Sequence, residues 1–344
     1  MRRSCGHGTL DSLDGPMNGG TTTATETVRV DRIRKSYGPV LAVDELSFSG
    51  QAGEVLGLLG PNGAGKTTAI RVLTTILSPD QGGFAIAGTP HTQPTRIRER
   101  IGVLPESAGY PDQQTGLEFL TYYGELFGHP RGEARGRATR LLAEIGLADR
   151  ASSRIGTYSR GMRQRLGIVR ALINDPAVVF FDEPTLGLDP AGQRQVLRLI
   201  ADTARERGTT VILTTHLLSE VEETCTRVLI LNRGKVISEG TVGEVTRRAS
   251  APRRARFRIP PEQRDRAIEA IRRQTGIGEA APVGDRSDAL AVTLDRGGAE
   301  LTETSAELAR LVDALADAGV PILAFELEGA RLSDVFLAMT GEET

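Results

Sequence analysis

The sequence predicts an α/β chain of two units, and three observations carry that prediction. The loop GPNGAGKTT at Gly60–Thr68 separates the apolar run EVLGLL from the helix-like AIRVLTTIL. The strand-like runs AVVFFD and TVILTT return only after a stretch with helical periodicity and few β-branched residues. Beyond ASAPRR at 249–254, strand and helix patterns continue without either motif. At 344 residues the chain is longer than one comfortable domain.

Residues 1–26 are rich in Gly, Thr and Ser, which predicts a disordered N-terminal extension. They lack the apolar stretch of a secretory signal, and Met17 offers an alternative start. Residues 27–100 are expected to alternate short strands with the loop and one helix. A helical insertion follows at about 112–165. In it, GLEFLTYYGELFG and GRATRLLAEIGL read as helices, and Leu120, Tyr122, Tyr123 and Phe127 supply apolar and aromatic surface. Residues 177–241 return to strands, ending in the hairpin RVLILNRGKVIS with its turn at Arg233-Gly234. The first unit then closes near Arg248, giving 27–248. The second, 254–344, reads β-α-β-β-α-β, the split pattern of a small ferredoxin-like α+β domain. A last helix, RLSDVFLAMTG, would pack Leu332, Val335, Phe336 and Met339 onto the rest.

Composition narrows the function classes. With 42 basic and 44 acidic residues, no global charge steers the chain to nucleic acid. Residues 253–273 do hold eight Arg against three acidic residues, a pattern read as a solvated helix face in preference to contact with anionic lipid or a partner. Cys5 and Cys225 are far apart and outside any metal spacing, which suits a reducing compartment. Runs such as VLGLL fall short of the roughly 20 residues that span a bilayer.

The loop at Gly60–Thr68 fits the phosphate-binding pattern at every constrained position. Gly60, Gly63 and Gly65, with Pro61, Asn62 and Ala64 between them, let the backbone curl so that N–H groups converge on one anion. The helix start at Thr67 and Thr68 adds roughly half a positive charge. Lys66 would reach the β- and γ-phosphates, and the Thr67 hydroxyl would ligate Mg²⁺. The strand AVVFFD ends in Asp182 and Glu183. The first would hold Mg²⁺ through its water shell, and the second would orient and deprotonate an attacking water. VILTTH ends in His216, a neutral donor within reach of a γ-phosphate oxygen. Tyr37, ahead of the loop, offers a stacking face for a purine, worth about 1–3 kcal/mol.

YSRGMRQR at 158–165 reads as a second anion-ready helix start. Ser159 is its N-cap, and Met162, Leu166, Val169 and Ile173 form an apolar stripe. One nucleotide does not need two such starts in one subunit. A symmetric dimer does, each second start closing over the other's nucleotide.

In this order, these residues resemble the nucleotide-binding domain of the ATP-binding cassette (ABC) superfamily, over about residues 27–245. The loop matches fully. Tyr37 falls on the adenine-stacking loop, Asp182-Glu183 on the second Walker motif, LGLDP at 186–190 on the D-loop, and His216 on the switch histidine. YSRGM falls on the signature Leu-Ser-Gly-Gly-Gln, keeping Ser159 and Gly161 and departing at Tyr158, Arg160 and Met162. IGVLPES at 101–107 falls on the Q-loop, with Glu106, a further candidate near Mg²⁺, where glutamine is usual. Both departures resemble the ATP-binding subunits of ABC-2-type exporters, including those of drug and antibiotic resistance.

The resemblance implies ATP and Mg²⁺ as ligands and ATP hydrolysis coupled to transport. It implies a homodimer or pseudo-symmetric dimer with Ser159 and Gly161 acting across it. It also implies a separate polytopic permease, no nucleic acid partner, and a place on the cytoplasmic face of the membrane. The alternatives are a non-transport ABC ATPase or a nucleotide-sensing regulatory protein. A single phosphate loop and the lack of long heptads weigh against the tandem translation and chromosome types.

Overall fold

The computed structural model describes residues 25–248, 254–274, 277–282, 289–294, 301–328, 332–333 and 336. The expected disordered extension lies outside the described residues up to position 24. So do most of the 249–254 linker, and Val335 and Met339 of the last helix.

The chain opens with two 12-residue strands, β1 (Glu26–Tyr37) and β2 (Val40–Gln51). They pair antiparallel across a tight turn and form a sheet of order β2-β1-β4-β5 with β4 (Gln81–Ile86) and β5 (Thr89–Pro90). These strands are longer than the sequence suggests. Arg32 and Glu45 adopt positive φ at register shifts, and such bulges break the two-residue alternation that marks a strand. Residues 27–100 also hold two helices rather than one, α1 (Lys66–Leu73) and the short α2 (Pro94–Arg98).

The second sheet carries the centre of the molecule. Its strands are β3 (Val55–Leu59), β6 (Ile101–Leu104), β7 (Val178–Asp182), β8 (Thr210–Thr214), β9 (Arg227–Asn232) and β10 (Lys235–Thr241), in the order β10-β9-β3-β8-β7-β6. All neighbours are parallel except the hairpin β9–β10. Every residue of β3, β7 and β8 is buried, as expected of parallel strands covered on both faces. Alternation assigns each side chain to one of two cores. Leu56, Leu58, Phe180 and Ile212 face α1 and the antiparallel sheet. Val55, Leu59, Val179, Phe181 and Leu213 face the other helices.

Those helices include the expected insertion: α3 (Gly116–Leu126), α4 (Arg131–Glu144) and α5 (Arg160–Ala171). Thr115 and Glu118 start α3 with a reciprocal capping box. After β7 comes α6 (Pro190–Arg207), capped by Asp189 and closed by Gly208 at φ 65. After β8 comes α7 (Leu218–Thr224), and α8 (Val242–Arg248) ends the unit.

Beyond it, β11 (Arg254–Arg258), α9 (Arg264–Arg272), β12 (Ile277–Pro282), β13 (Ala289–Leu294), α10 (Leu301–Asp317) and β14 (Ala324–Glu328) appear in the expected order. The strands form an antiparallel sheet of order β12-β13-β11-β14, with its own core of Phe257, Ile271, Leu290, Leu311 and Leu315. Leu332 of the last expected helix does not join that core. It is buried in the cluster of the first unit that holds Val221 of α7, and its N–H donates to Glu222 Oε1 at 2.7 Å.

At the seam between sheet and insertion, β6 meets the end of α5 backbone to backbone. A Cβ placed on Gly102 would lie 2.0 Å from the Ala171 carbonyl oxygen. Neither backbone can retreat as a flexible side chain can. Gly102→Ala is therefore expected to lower unfolding stability by about 1–3 kcal/mol, as overpacking does. Urea unfolding followed by circular dichroism would measure it, and an unchanged midpoint would show that the seam can open freely.

Candidate functional site

Parallel pairing brings the C-terminal ends of β3, β8, β7 and β6 to one edge of the sheet, the usual place for a ligand in an α/β fold. The loop Gly60–Gly65 follows β3, His216 follows β8, Asp182 and Glu183 end β7, and Glu106 follows β6.

The loop is wedged between two backbones. A Cβ on Gly60, at φ 156, would lie 2.5 Å from the Leu231 carbonyl oxygen. One on Gly65, at φ 103, would lie 2.3 Å from the Ala42 carbonyl oxygen. Gly234 N–H donates to Ala64 O at 3.0 Å, and Asp44 N–H donates to Gly234 O at 2.9 Å. The Arg233-Gly234 hairpin and β2 thus clamp the loop in the curled form that its amides need to face one anion. Lys66 Nζ donates to the carbonyls of Gly60 and Pro61 at 2.5 and 3.1 Å, so its charge sits over the loop. Asn62 and Thr67 are exposed, and Ala64 is buried beneath them. Thr68, the third residue of α1, is half-buried.

Tyr37 ends β1 opposite Val40. Tyr37, Val40 and Leu41 are all exposed, at 45%, 62% and 45%, a short apolar strip leading along β2 to Ala42 at the loop. A stacking face is therefore available where the sequence expects one.

Asp182 is buried, and Thr214 Oγ1 donates to its Oδ1 at 2.5 Å. Glu183 takes φ 50, rare for a residue with a Cβ, and its N–H reaches Thr214 O at 3.1 Å. That turn aims the carboxylate at His216, whose Nδ1 lies 2.9 Å from Glu183 Oε2. Burial pushes the Glu183 carboxyl above its ordinary range, while His216 and then Lys66 pull it back and Asp182 adds to the rise. His216 is half exposed, so the pair faces open space beyond the sheet edge.

The oxygen donors Thr67 and Asp182 suit a hard cation that keeps most of its waters and takes one or two protein ligands. Among the described residues there is no cluster of three or more His, Cys, Asp and Glu able to cage a metal. Glu106 is exposed in the loop after β6, one strand beyond Asp182.

The second helix start takes the expected form. Ser159 Oγ accepts Met162 N–H at 3.2 Å, and Leu166, Val169 and Ile173 are buried. The departures from the signature have local causes. Tyr158 is buried with its ring over Gly116 and its hydroxyl donating to Arg150 O at 2.7 Å. Arg160 donates to Leu186 O at 2.7 Å, and its guanidinium covers Gly187. In the insertion, Leu120 is buried, correcting the expectation that it is surface. Tyr123 packs under Arg170, 5.3 Å from ring centroid to Cζ. Tyr122 and Phe127 are exposed, joined by Leu126, which the sequence reading passed over.

Sequence reasoning also missed the threonines that hold the acids. Thr214 ends β8 and Thr215 follows it, while Thr185 lies in the turn after β7. Their proximity to the Asp-Glu pair and to His216 was the available signal.

The comparisons with known proteins agree with this geometry. Residues 43–186 match the ABC transporter family. The daunorubicin resistance ATP-binding protein DrrA3 of Streptomyces coeruleorubidus is 35% identical, over 93% of this chain and 98% of its own length. The linearmycin resistance ATP-binding protein LnrL of Bacillus subtilis is 32% identical, over 91% and 98%. Among solved structures, an ATP-binding subunit of an ABC transporter aligns with TM-score 0.58 at 30% identity, over 64% of this chain and 92% of that one. A dimeric, post-hydrolysis ATP-binding cassette bound to ADP and phosphate, MJ0796, aligns with TM-score 0.57 at 25% identity, over 62% and 98%.

The environment of Glu183 has a consequence for stability. A carboxyl whose value is raised by folding holds its proton longer in the folded state. Stability therefore falls as pH rises from its ordinary value of 4.5 through the raised one. Glu183→Gln removes that loss, so the variant is expected to melt above the parent at pH 8. The gap should shrink toward pH 4.5. Differential scanning calorimetry across that range checks it, and a variant less stable at pH 8 would contradict the assignment.

Proposed function

The chain belongs to the ABC transporter family of ATP-binding proteins, and from that premise we propose that it hydrolyses ATP to drive a membrane exporter. The observation that carries the catalytic part is the Glu183–His216 pair, 2.9 Å apart at the sheet edge that bears the phosphate loop. Its relatives are named for resistance to daunorubicin and linearmycin, which supports export of an antibiotic-like cargo and does not favour a non-transport or sensing role.

In this reading the amides of Gly60–Gly65 and Lys66 bind the β- and γ-phosphates, and Tyr37 stacks on the adenine. Thr67 and Asp182 would hold Mg²⁺, which when bound would supply charge neutralisation at the phosphate oxygens, with Glu106 a further candidate carboxylate. Glu183 accepts a proton from water as the water oxygen bonds to the γ-phosphorus. The bond to the bridging oxygen breaks, and ADP leaves with that electron pair. His216 holds Glu183 in line and donates to the γ-phosphate. Ser159 and Gly161 close over the nucleotide of a second copy, a dimer supported by the dimeric cassette among the similar structures. Closure then moves the α3–α5 insertion, which docks the permease through Tyr122, Leu126 and Phe127.

We read 27–248 as the ATP-binding domain and 254–344 as an accessory one. The antiparallel order β12-β13-β11-β14, with a helix after the first and third strands, supports the ferredoxin-like assignment. Among the described residues no helix is long and apolar enough to cross a membrane. The resistance ATP-binding proteins among its relatives support reading it as a peripheral subunit on the cytoplasmic face.

Two experiments bear on this reading. Glu183→Gln keeps shape and loses the base, so turnover should fall by about 10²–10⁴-fold while ATP is retained. The same variant should sediment as a dimer with ATP and as a monomer without it. Wild-type turnover would refute the base, and a monomer at high protein and ATP would refute the closure. Separately, the double substitution Tyr122→Ser with Leu126→Ser should leave solution hydrolysis intact and abolish co-purification of a polytopic membrane protein. Undiminished co-purification would move the docking surface elsewhere.

A further inference from the structure

Helix α7 carries a buried acid that the proposed reaction does not use. Glu220 is 5% exposed, and Thr185 and Thr215 are each 1% exposed. One carboxyl oxygen, Oε2, accepts both hydroxyls, Thr185 Oγ1 at 2.9 Å and Thr215 Oγ1 at 2.8 Å. The other oxygen, Oε1, is buried with no hydrogen-bond partner. Thr215 Oγ1 in turn accepts Leu217 N–H at 3.1 Å.

The placement of these groups is informative. The ladder between β7 and β8 ends at the pair Asp182 and Thr214. Glu183 N–H still reaches back to Thr214, and the ladder pairs no residue beyond Asp182 and Thr214. One segment runs on through Glu183 and Pro184 to Thr185. The other runs through Thr215 to His216. They meet again on a single atom, Glu220 Oε2, so Glu183 lies between two fixed points and His216 directly follows the second. An acid serving only to start α7 would face water and accept backbone N–H groups. Glu220 does neither among its described contacts, and a buried polar group that is only half satisfied asks for a reason.

We propose that Glu220 is a positioning residue for ATP hydrolysis: by gathering Thr185 and Thr215 on one oxygen it fixes Glu183 against His216. This rests on the reading of Glu183 as the base. Its effect falls on the chemical step, because the phosphate loop is clamped by other segments, Ala42 and Gly234. A displacement near 1 Å at a reacting group costs up to about a hundredfold in rate.

The test uses the full chain and four variants: Glu220→Ala, Glu220→Gln, the pair Thr185→Val with Thr215→Val, and Glu183→Gln as reference. Single-turnover hydrolysis, ATP affinity by titration and melting temperature are measured for each. Glu220→Ala and the double valine variant should each slow single turnover by roughly ten- to a hundredfold, with ATP affinity within about twofold of wild type. Glu220→Gln keeps an accepting oxygen and should recover most of the rate. Adding both valines to Glu220→Ala should slow it no further. A merely structural acid would instead lower ATP affinity and melting temperature in step with rate, which would overturn the proposal. Should Glu220→Ala fail to fold, the double valine variant, close in shape to wild type, decides alone. If Glu183→Gln is inactive while the Glu220 and threonine variants hydrolyse at full rate, the positioning role fails by itself. If Glu183→Gln is fully active, the base reading fails and the positioning role with it.

Discussion

The parallel register of β3, β8 and β7 is the constraint on which the rest depends. Leu58 pairs with Thr214, and Thr214 pairs with Asp182. Both faces of these strands are buried, so a slip of one residue would exchange Phe180 and Phe181 between two full cores. Each core would then have to take a side chain fitted to the other, and misfit of that kind costs about 1–3 kcal/mol per site. The hydrophobic pattern therefore fixes the level at which each strand ends. The phosphate loop, the histidine and the carboxylates inherit that level without needing direct contacts to establish it.

At the edge itself the chemistry changes from apolar packing to hydrogen bonding by threonine. Thr214 satisfies buried Asp182 from the neighbouring strand. Thr185 and Thr215 occupy the next layer out, around Glu220. Between these layers Glu183 sits at positive φ with its carboxyl partly desolvated. Backbone strain of this kind costs about 1–3 kcal/mol and persists only where the surroundings over-determine it. Here they do, because the strand pairing precedes the strained residue and the threonine clip follows it. The site is held from both sides so that its least favourable residue need not hold itself.

Much of this was legible in the sequence because it is local. The spacing Gly60–Thr68, the Asp182-Glu183 strand end, the Arg233-Gly234 turn and the Ser159 cap each depend on residues within a few positions. The α3 insertion was harder. Leu120, Tyr122, Tyr123, Leu126 and Phe127 share one broad face of the helix, and only the packing of α4 and α5 decides that Leu120 is core and Leu126 surface. The long β1 and β2 were obscured by bulges at Arg32 and Glu45. Glu220 could not be read at all, because Thr185 is 35 residues away and nothing in either segment names the other. Signals that join distant segments through polar atoms leave no periodicity.

The same limit applies to the C-terminal unit, where strand order followed from pattern but attachment did not. Leu332 is buried in the core of the first unit, and Glu222 accepts its N–H. The second unit is thus joined to the first at both ends, through the chain near 249–253 and through this return contact. The return contact falls on α7, through Glu222. That helix begins two residues after His216 and carries Glu220 at its start. Glu222, which accepts the Leu332 N–H, and Glu220, which accepts Thr185 and Thr215, therefore stand on one short helix.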